Sequence, residues 1–288
     1  MKQSRSKSRK SKQLAALAIA GLVATACTSG PTNQPTVSSA KPTFVPPTSP
    51  APADYQFPTK YAGDFTVVWS AEPGIDLLSR PAEVVRATFE AQSITRVPSV
   101  INYPGAIAAT ADANRRRPTL QIGYQERPDP SIPPTSGTQY FHVLRMESSA
   151  NTISAIVCDI RAGLVNHPIG GIDSSLVSFL ASFDATLPAG SVDRRAHAPV
   201  HGTPAGEGDR APRYDAFAPW QVNYEYSLPV PGTSPEDKTF CYQKSREIAR
   251  TIPAYANRTF GTYDDPEPRG LTPADFPNQP QFPGWPAP

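Results

Sequence analysis

The chain has 288 residues, of which 39% are hydrophobic and 18% charged, with 35 prolines, 18 glycines and 3 cysteines. Proline and glycine together stay below the roughly 25–30% at which a chain ceases to look globular, so a folded domain is expected, with short regular elements rather than a long helical bundle. Outside the N-terminal segment no run nears the ~20 apolar residues of a membrane-spanning helix, and the formal charge of +2 needs correction for that segment.

The opening residues carry six basic side chains, Lys2, Arg5, Lys7, Arg9, Lys10 and Lys12, and no acid. Thirteen uncharged residues, Leu14 to Ala26, then lead to Cys27. A basic start, a short apolar core and small residues at its end make a secretory signal peptide over 1–26. Ala24-Thr25-Ala26-Cys27 resembles the lipobox of bacterial lipoproteins, with alanine at the position where that family prefers leucine. The resemblance implies a diacylglyceryl group on Cys27 and attachment to the outer face of the cell membrane. Ala24-Thr25-Ala26 also fits an ordinary A-x-A cleavage site, which would leave Cys27 as a free thiol. Removal of the leader leaves 21 of the 27 basic residues against all 25 acids, about −4, so net charge argues against nucleic acid as a partner.

With Cys27 lipidated, Cys158 and Cys241 can pair only with each other, and an oxidising compartment permits it. A metal site is the weaker alternative, because no CxxC or further thiol lies nearby.

From 27 to 58 the chain is a Thr/Ser/Ala/Pro tether with eight prolines, which at polyproline II spacing would reach about 95 Å. A second proline-rich tail is expected over 264–288, where Phe276, Phe282 and Trp285 are apolar weights that could dock on the domain or stay exposed. Both tails are read as disordered.

The domain between them, 59–263, reads as α+β. In chain order the pattern predicts a strand at Phe65–Trp69, then a helix from Arg80 with Pro81 in its first turn and Ala82, Val85, Phe89 and Gln92 on one stripe, ending before Pro98. An alanine-rich helix follows over Pro104–Arg115, where Arg115-Arg116-Arg117 reads as a solvated end. Period-two runs then predict strands at Leu120–Tyr124, Thr138–Met146 and Thr152–Ile160, the last two forming a hairpin. Leu176–Phe183 fits helix or strand, Ser191–Arg213 reads as a long flexible loop, Trp220–Tyr226 as a strand and Thr239–Thr251 as a helix. This order suggests N-terminal helices packed on a curved antiparallel sheet. The segments Arg80–Gln92, Val157–Arg161 and Trp220 with Cys241 resemble uncharacterised actinobacterial cell-envelope lipoproteins and exported NTF2-like domains, which implies a cone-shaped fold and no particular reaction.

The sequence holds no HExxH, G-x-S-x-G, P-loop or Rossmann glycine pattern. His197 and His201 have the i, i+4 spacing of a metal pair, but Pro199 forbids the helix that would align them. Asp264, Asp265 and Glu267 read as a solvated acidic turn. His142 alternates with Tyr140 and Leu144 on its strand, and Asp159 on the neighbouring strand is the carboxylate expected to orient it if it works as an acid or base. Two functions follow: a non-enzymatic, lipid-anchored binding or accessory module for a small apolar ligand or an envelope protein, or a hydrolase or cyclase using His142 and a carboxylate such as Asp159. Neither needs a cofactor or metal.

Overall fold

The structure, a computed structural model, describes residues 55–94, 102–116, 134–166, 178–226, 233–255 and 272–287. Cys27, the tether up to residue 54, the expected strand at 120–124, Arg117, His167 and the acidic turn at 264–267 lie outside these residues.

The elements are α1 (Thr59–Ala62), β1 (Thr66–Ala71), α2 (Arg80–Ser93), α3 (Ala106–Ala109), α4 (Ala111–Arg116), β2 (Thr135–Ser148), β3 (Thr152–Ile160), β4 (Leu164–Asn166), β5 (Ser178–Thr186), β6 (Gln221–Glu225) and α5 (Pro235–Ala249). The fold is α+β, built on a curved, open sheet in the order β1-β2-β3-β5-β6, with β4 pairing β2. The β2–β3 hairpin forms as its alternation requires, closed by a turn in which Ser149 N–H donates to the Thr152 carbonyl at 2.8 Å. The pairing slips between Val143 and Arg145, a bulge that adds local twist and bend. The sheet is mixed rather than wholly antiparallel, because β1 joins β2 in parallel, Thr66 opposite Thr138 and Ser70 opposite His142. The ambiguous apolar run resolves as strand β5, since its alternate residues Leu180, Ser182 and Ala181, Phe183 fill both faces of a sheet covered on both sides.

One face carries Val67, Trp69, Phe141, Val143, Val157 and Phe183 against α2. Helix α2 starts where predicted: the Ser79 side chain caps the Ala82 N–H and Pro81 sits in the first turn. The opposite face carries Leu144, Ile156, Cys158, Ile160 and Leu180 against Cys241 and Ala249 of α5, with Ile252, Tyr255 and Phe276 completing that cluster. Helix α5 begins four residues before the predicted start, because Ser234 and Asp237 form a reciprocal capping box. The Cys158–Cys241 disulfide is present, with a Cα–Cα distance of 5.5 Å, and ties β3 to α5.

Three further expectations are overturned. The tether expected over 27–58 ends earlier, since Tyr55 is buried in the core and Phe57 packs against it. Ser191–Arg213 is a packed segment: a 3-10 turn at Arg194–His197 is capped by Asp193, and Ala211 is buried. The proline-rich C-terminal stretch, placed in a tail over 264–288, is part of the core over its described portion. Phe282 N–H donates to the Val67 carbonyl at 3.1 Å and Trp69 N–H to the Phe282 carbonyl at 2.7 Å. Gly284 and Trp285 pair with Thr203 and Asp209 on the other side. The segment is thus a strand between the outer edge of β1 and the 203–209 stretch, and it satisfies backbone groups that an edge strand leaves open. Gly284 permits the approach, since a Cβ there would collide with the Glu207 carbonyl.

Candidate functional site

His142 lies on the α5 face of β2. Its side chain is 3% exposed, stacked at 5.6 Å on Phe240 of α5. Ser70 is its register partner on β1, and Glu72, two residues on, projects to the same side. Ser70 Oγ stands 2.8 Å from Nδ1, and Nε2 stands 3.0 Å from Glu72 Oε1. Each ring nitrogen therefore has one partner. Burial lowers the ring's pKa, opposed by the hydrogen bond to Glu72 and reinforced by the charge of Lys244. The ring is the neutral base this balance favours, and because a carboxylate only accepts, Nε2 carries the hydrogen and Nδ1 is left to accept from Ser70.

Asp159 is not the carboxylate that orients it. Asp159 is the register partner of Phe141, while His142 faces Cys158, so the two side chains emerge on opposite faces of the sheet. Asp159 instead accepts from Gln139 Nε2 at 2.7 Å and from Arg161 Nη2 at 2.8 Å. Arg161, stacked over Phe179, is held firmly charged, its pKa raised chiefly by Asp159. The fully buried carboxylate is taken up in tying Gln139 of β2 and Arg161 to β3.

A second polar constellation runs along α2, at Arg80, Glu83, Arg86 and Glu90, all buried. Arg80 donates to Asp193 at 2.9 Å, to Glu83 at 2.6 Å and to the Ala216 carbonyl at 2.6 Å. Glu83 also accepts from Arg195 at 2.6 Å and Tyr214 at 2.8 Å, and His201 Nδ1 lies 3.0 Å from it. Burial alone would raise the Glu83 carboxyl, but the Arg195 bond and the charges of Arg80 and Arg195 outweigh it and hold it below the usual carboxylate range. Glu90 accepts from Trp69 at 2.9 Å, Trp285 at 2.8 Å and Tyr103 at 3.0 Å. There burial prevails over the Arg86 charge, and the Glu90 carboxyl is pushed up. Arg86 lies over the Trp285 ring at 4.5 Å and donates to the His201 carbonyl. The spacing of three and four puts these charges on one stripe. A charged stripe opposite an apolar one ordinarily faces water. Here residues 193–220 and 281–285 cover it, which the sequence signalled only through charges alternating in sign at helical spacing.

His201 is thus spoken for by Glu83, while His197 is exposed. Among the described residues no three His, Cys, Asp or Glu side chains cluster as metal ligands would. Arg115 pairs with Asp112 one turn back on an exposed helix end.

Comparison of the chain with models of known protein families, with curated proteins and with solved structures found no match.

Of the two polar constellations, the α2 stripe is buried and its carboxylates are paired internally. The Ser70–His142–Glu72 row reaches the surface, since Glu72 is 40% exposed and Ser70 half-buried. It is the candidate site.

Proposed function

We propose that the protein is a lipid-anchored lipoprotein of the cell envelope, tethered through Cys27 on the extracytoplasmic face, where its folded domain serves as a binding or accessory module. The observation that carries this reading is the Cys158–Cys241 disulfide, a bond that persists in oxidising compartments and is rare in the cytosol. It agrees with the leader and with Ala24-Thr25-Ala26-Cys27. Attachment by two or more acyl chains, at about 0.8 kcal/mol per buried CH₂, holds such a domain at the membrane without a spanning helix. Metabolic labelling with an alkyne fatty acid tests it: wild type takes up label and sediments with membranes, and Cys27→Ser loses both. Retention of Cys27→Ser in high-salt-washed membranes refutes the anchor.

A second reading, chemistry at His142, is favoured by one observation: a carboxylate does stand within hydrogen-bond reach of the ring, Glu72 in place of Asp159.

A further inference from the structure

We propose that Ser70, His142 and Glu72 act as nucleophile, general base and orienting carboxylate, and that the domain hydrolyses carboxylic esters through an acyl-Ser70 intermediate. This rests on the reading of His142 as an acid–base group, and adds the nucleophile, the order of the groups and the reaction class.

The geometry points to it in three ways. A nucleophilic serine needs a base within about 2.6–3.2 Å and a third group that orients the base, and the 2.8 Å and 3.0 Å separations meet both conditions. The roles are those of a triad with the two ring nitrogens exchanged, because Glu72 fixes the proton on Nε2 and leaves Nδ1 as the acceptor for the Ser70 hydroxyl. The competing acceptor for that hydroxyl, the Phe141 carbonyl, is farther off at 3.4 Å. Access divides in the same sense: the ring is buried beneath Phe240 while Ser70 is half-buried and so open in part to an incoming carbonyl. The charged groups near the ring are Glu72, Lys244 and Glu247, the last two paired with each other at 3.3 Å.

In the first step the Ser70 proton passes to Nδ1, the Oγ–C bond forms and the carbonyl π pair moves onto oxygen. Collapse breaks the bond to the alkoxide leaving group, which takes the proton from Nδ1. Water then gives a proton to Nδ1 and adds to the acyl carbon. The C–Oγ bond breaks and Ser70 recovers its proton, so the net change is ester plus water to acid plus alcohol.

The test uses the full mature chain with a fluorophosphonate probe and p-nitrophenyl acetate. Wild type is expected to gain one phosphonyl adduct that peptide mapping places on Ser70. Ser70→Ala should lose it, and His142→Gln should slow both labelling and turnover by about 100-fold or more. Glu72→Gln should slow turnover less and shift its pH profile, which a merely structural partner of a buried histidine would not do. Circular dichroism melts of each variant separate lost chemistry from lost fold, and mapping on wild type needs no variant at all. No adduct on wild-type Ser70, or an adduct that persists in Ser70→Ala, overturns the proposal. Turnover lost in His142→Gln but kept in Ser70→Ala overturns the nucleophile while leaving the base; turnover indifferent to both substitutions removes the two together.

Discussion

Replacing Trp285 tests how far the last residues of the chain belong to the fold. The indole is fully buried, donates Nε1–H to Glu90 at 2.8 Å, lies edge-on to Tyr103 at 6.2 Å and carries the Arg86 guanidinium on its face at 4.5 Å. Trp285→Ala removes an apolar body whose loss from a core costs about 3–5 kcal/mol. It also takes one of three donors from the buried Glu90 carboxylate, a further cost of about 1–3 kcal/mol that overlaps with the first through the shared cavity. Trp285→Phe keeps most of the apolar body and removes the donor, so it should cost about 1–3 kcal/mol. Urea unfolding of the full chain, followed by far-ultraviolet circular dichroism, measures both. The expected order is wild type, then Phe, then Ala, with the alanine variant at least about 3 kcal/mol below wild type. Hydrogen exchange should rise first at the Trp69 and Phe282 amides, which donate to the Phe282 and Val67 carbonyls. A Trp285→Ala variant within 1 kcal/mol of wild type, with unchanged exchange at β1, would refute the reasoning and return the segment to the status of a tail.

Cys158→Ser should destabilise the domain by at least about 2 kcal/mol, against the roughly 4–5 kcal/mol that chain entropy gives a loop of this length. Opening should begin at α5, read as early loss of exchange protection over Pro235–Ala249; uniform destabilisation would contradict that order. Glu83 and Asp193 are both held below the ordinary carboxylate range, by the Arg195 and Arg80 contacts respectively once burial is overcome. Their stabilisation is therefore complete above the unfolded carboxylate pKa and fades as pH falls through the folded values. Glu83→Gln should cost about 3–5 kcal/mol near neutrality, because it takes the carboxylate from Arg195 and leaves Arg80 with Asp193 alone, and the gap to wild type should narrow below about pH 4 in acid-unfolding curves. A gap independent of pH would mean the Glu83 charge contributes nothing.

The α+β composition, the hairpin, the start of α2 and the disulfide were legible in the sequence because each depends on local or combinatorial facts. Alternation at Tyr140, His142 and Leu144 sets a face, Pro81 in a first turn starts a helix, and the two cysteines left once Cys27 is set aside have one partner each. The same alternation placed His142 correctly on one face but could not choose its carboxylate. A register in which Asp159 faces Phe141 rather than His142 is decided by hairpin pairing, and a one-residue difference in pairing inverts the face. Ser70 and Glu72 come to the ring from 72 and 70 residues away because β1 pairs in parallel with β2, a non-local choice that no period in β1 announces. The charged stripe of α2 and the proline-rich C-terminus share this reason. Each looks solvent-facing by itself, and each is buried because the other covers it, Trp285 supplying the donor that Glu90 needs and the 281–285 strand closing the edge of β1. Burial of polar groups is a property of the pair, so only the tertiary structure could assign it.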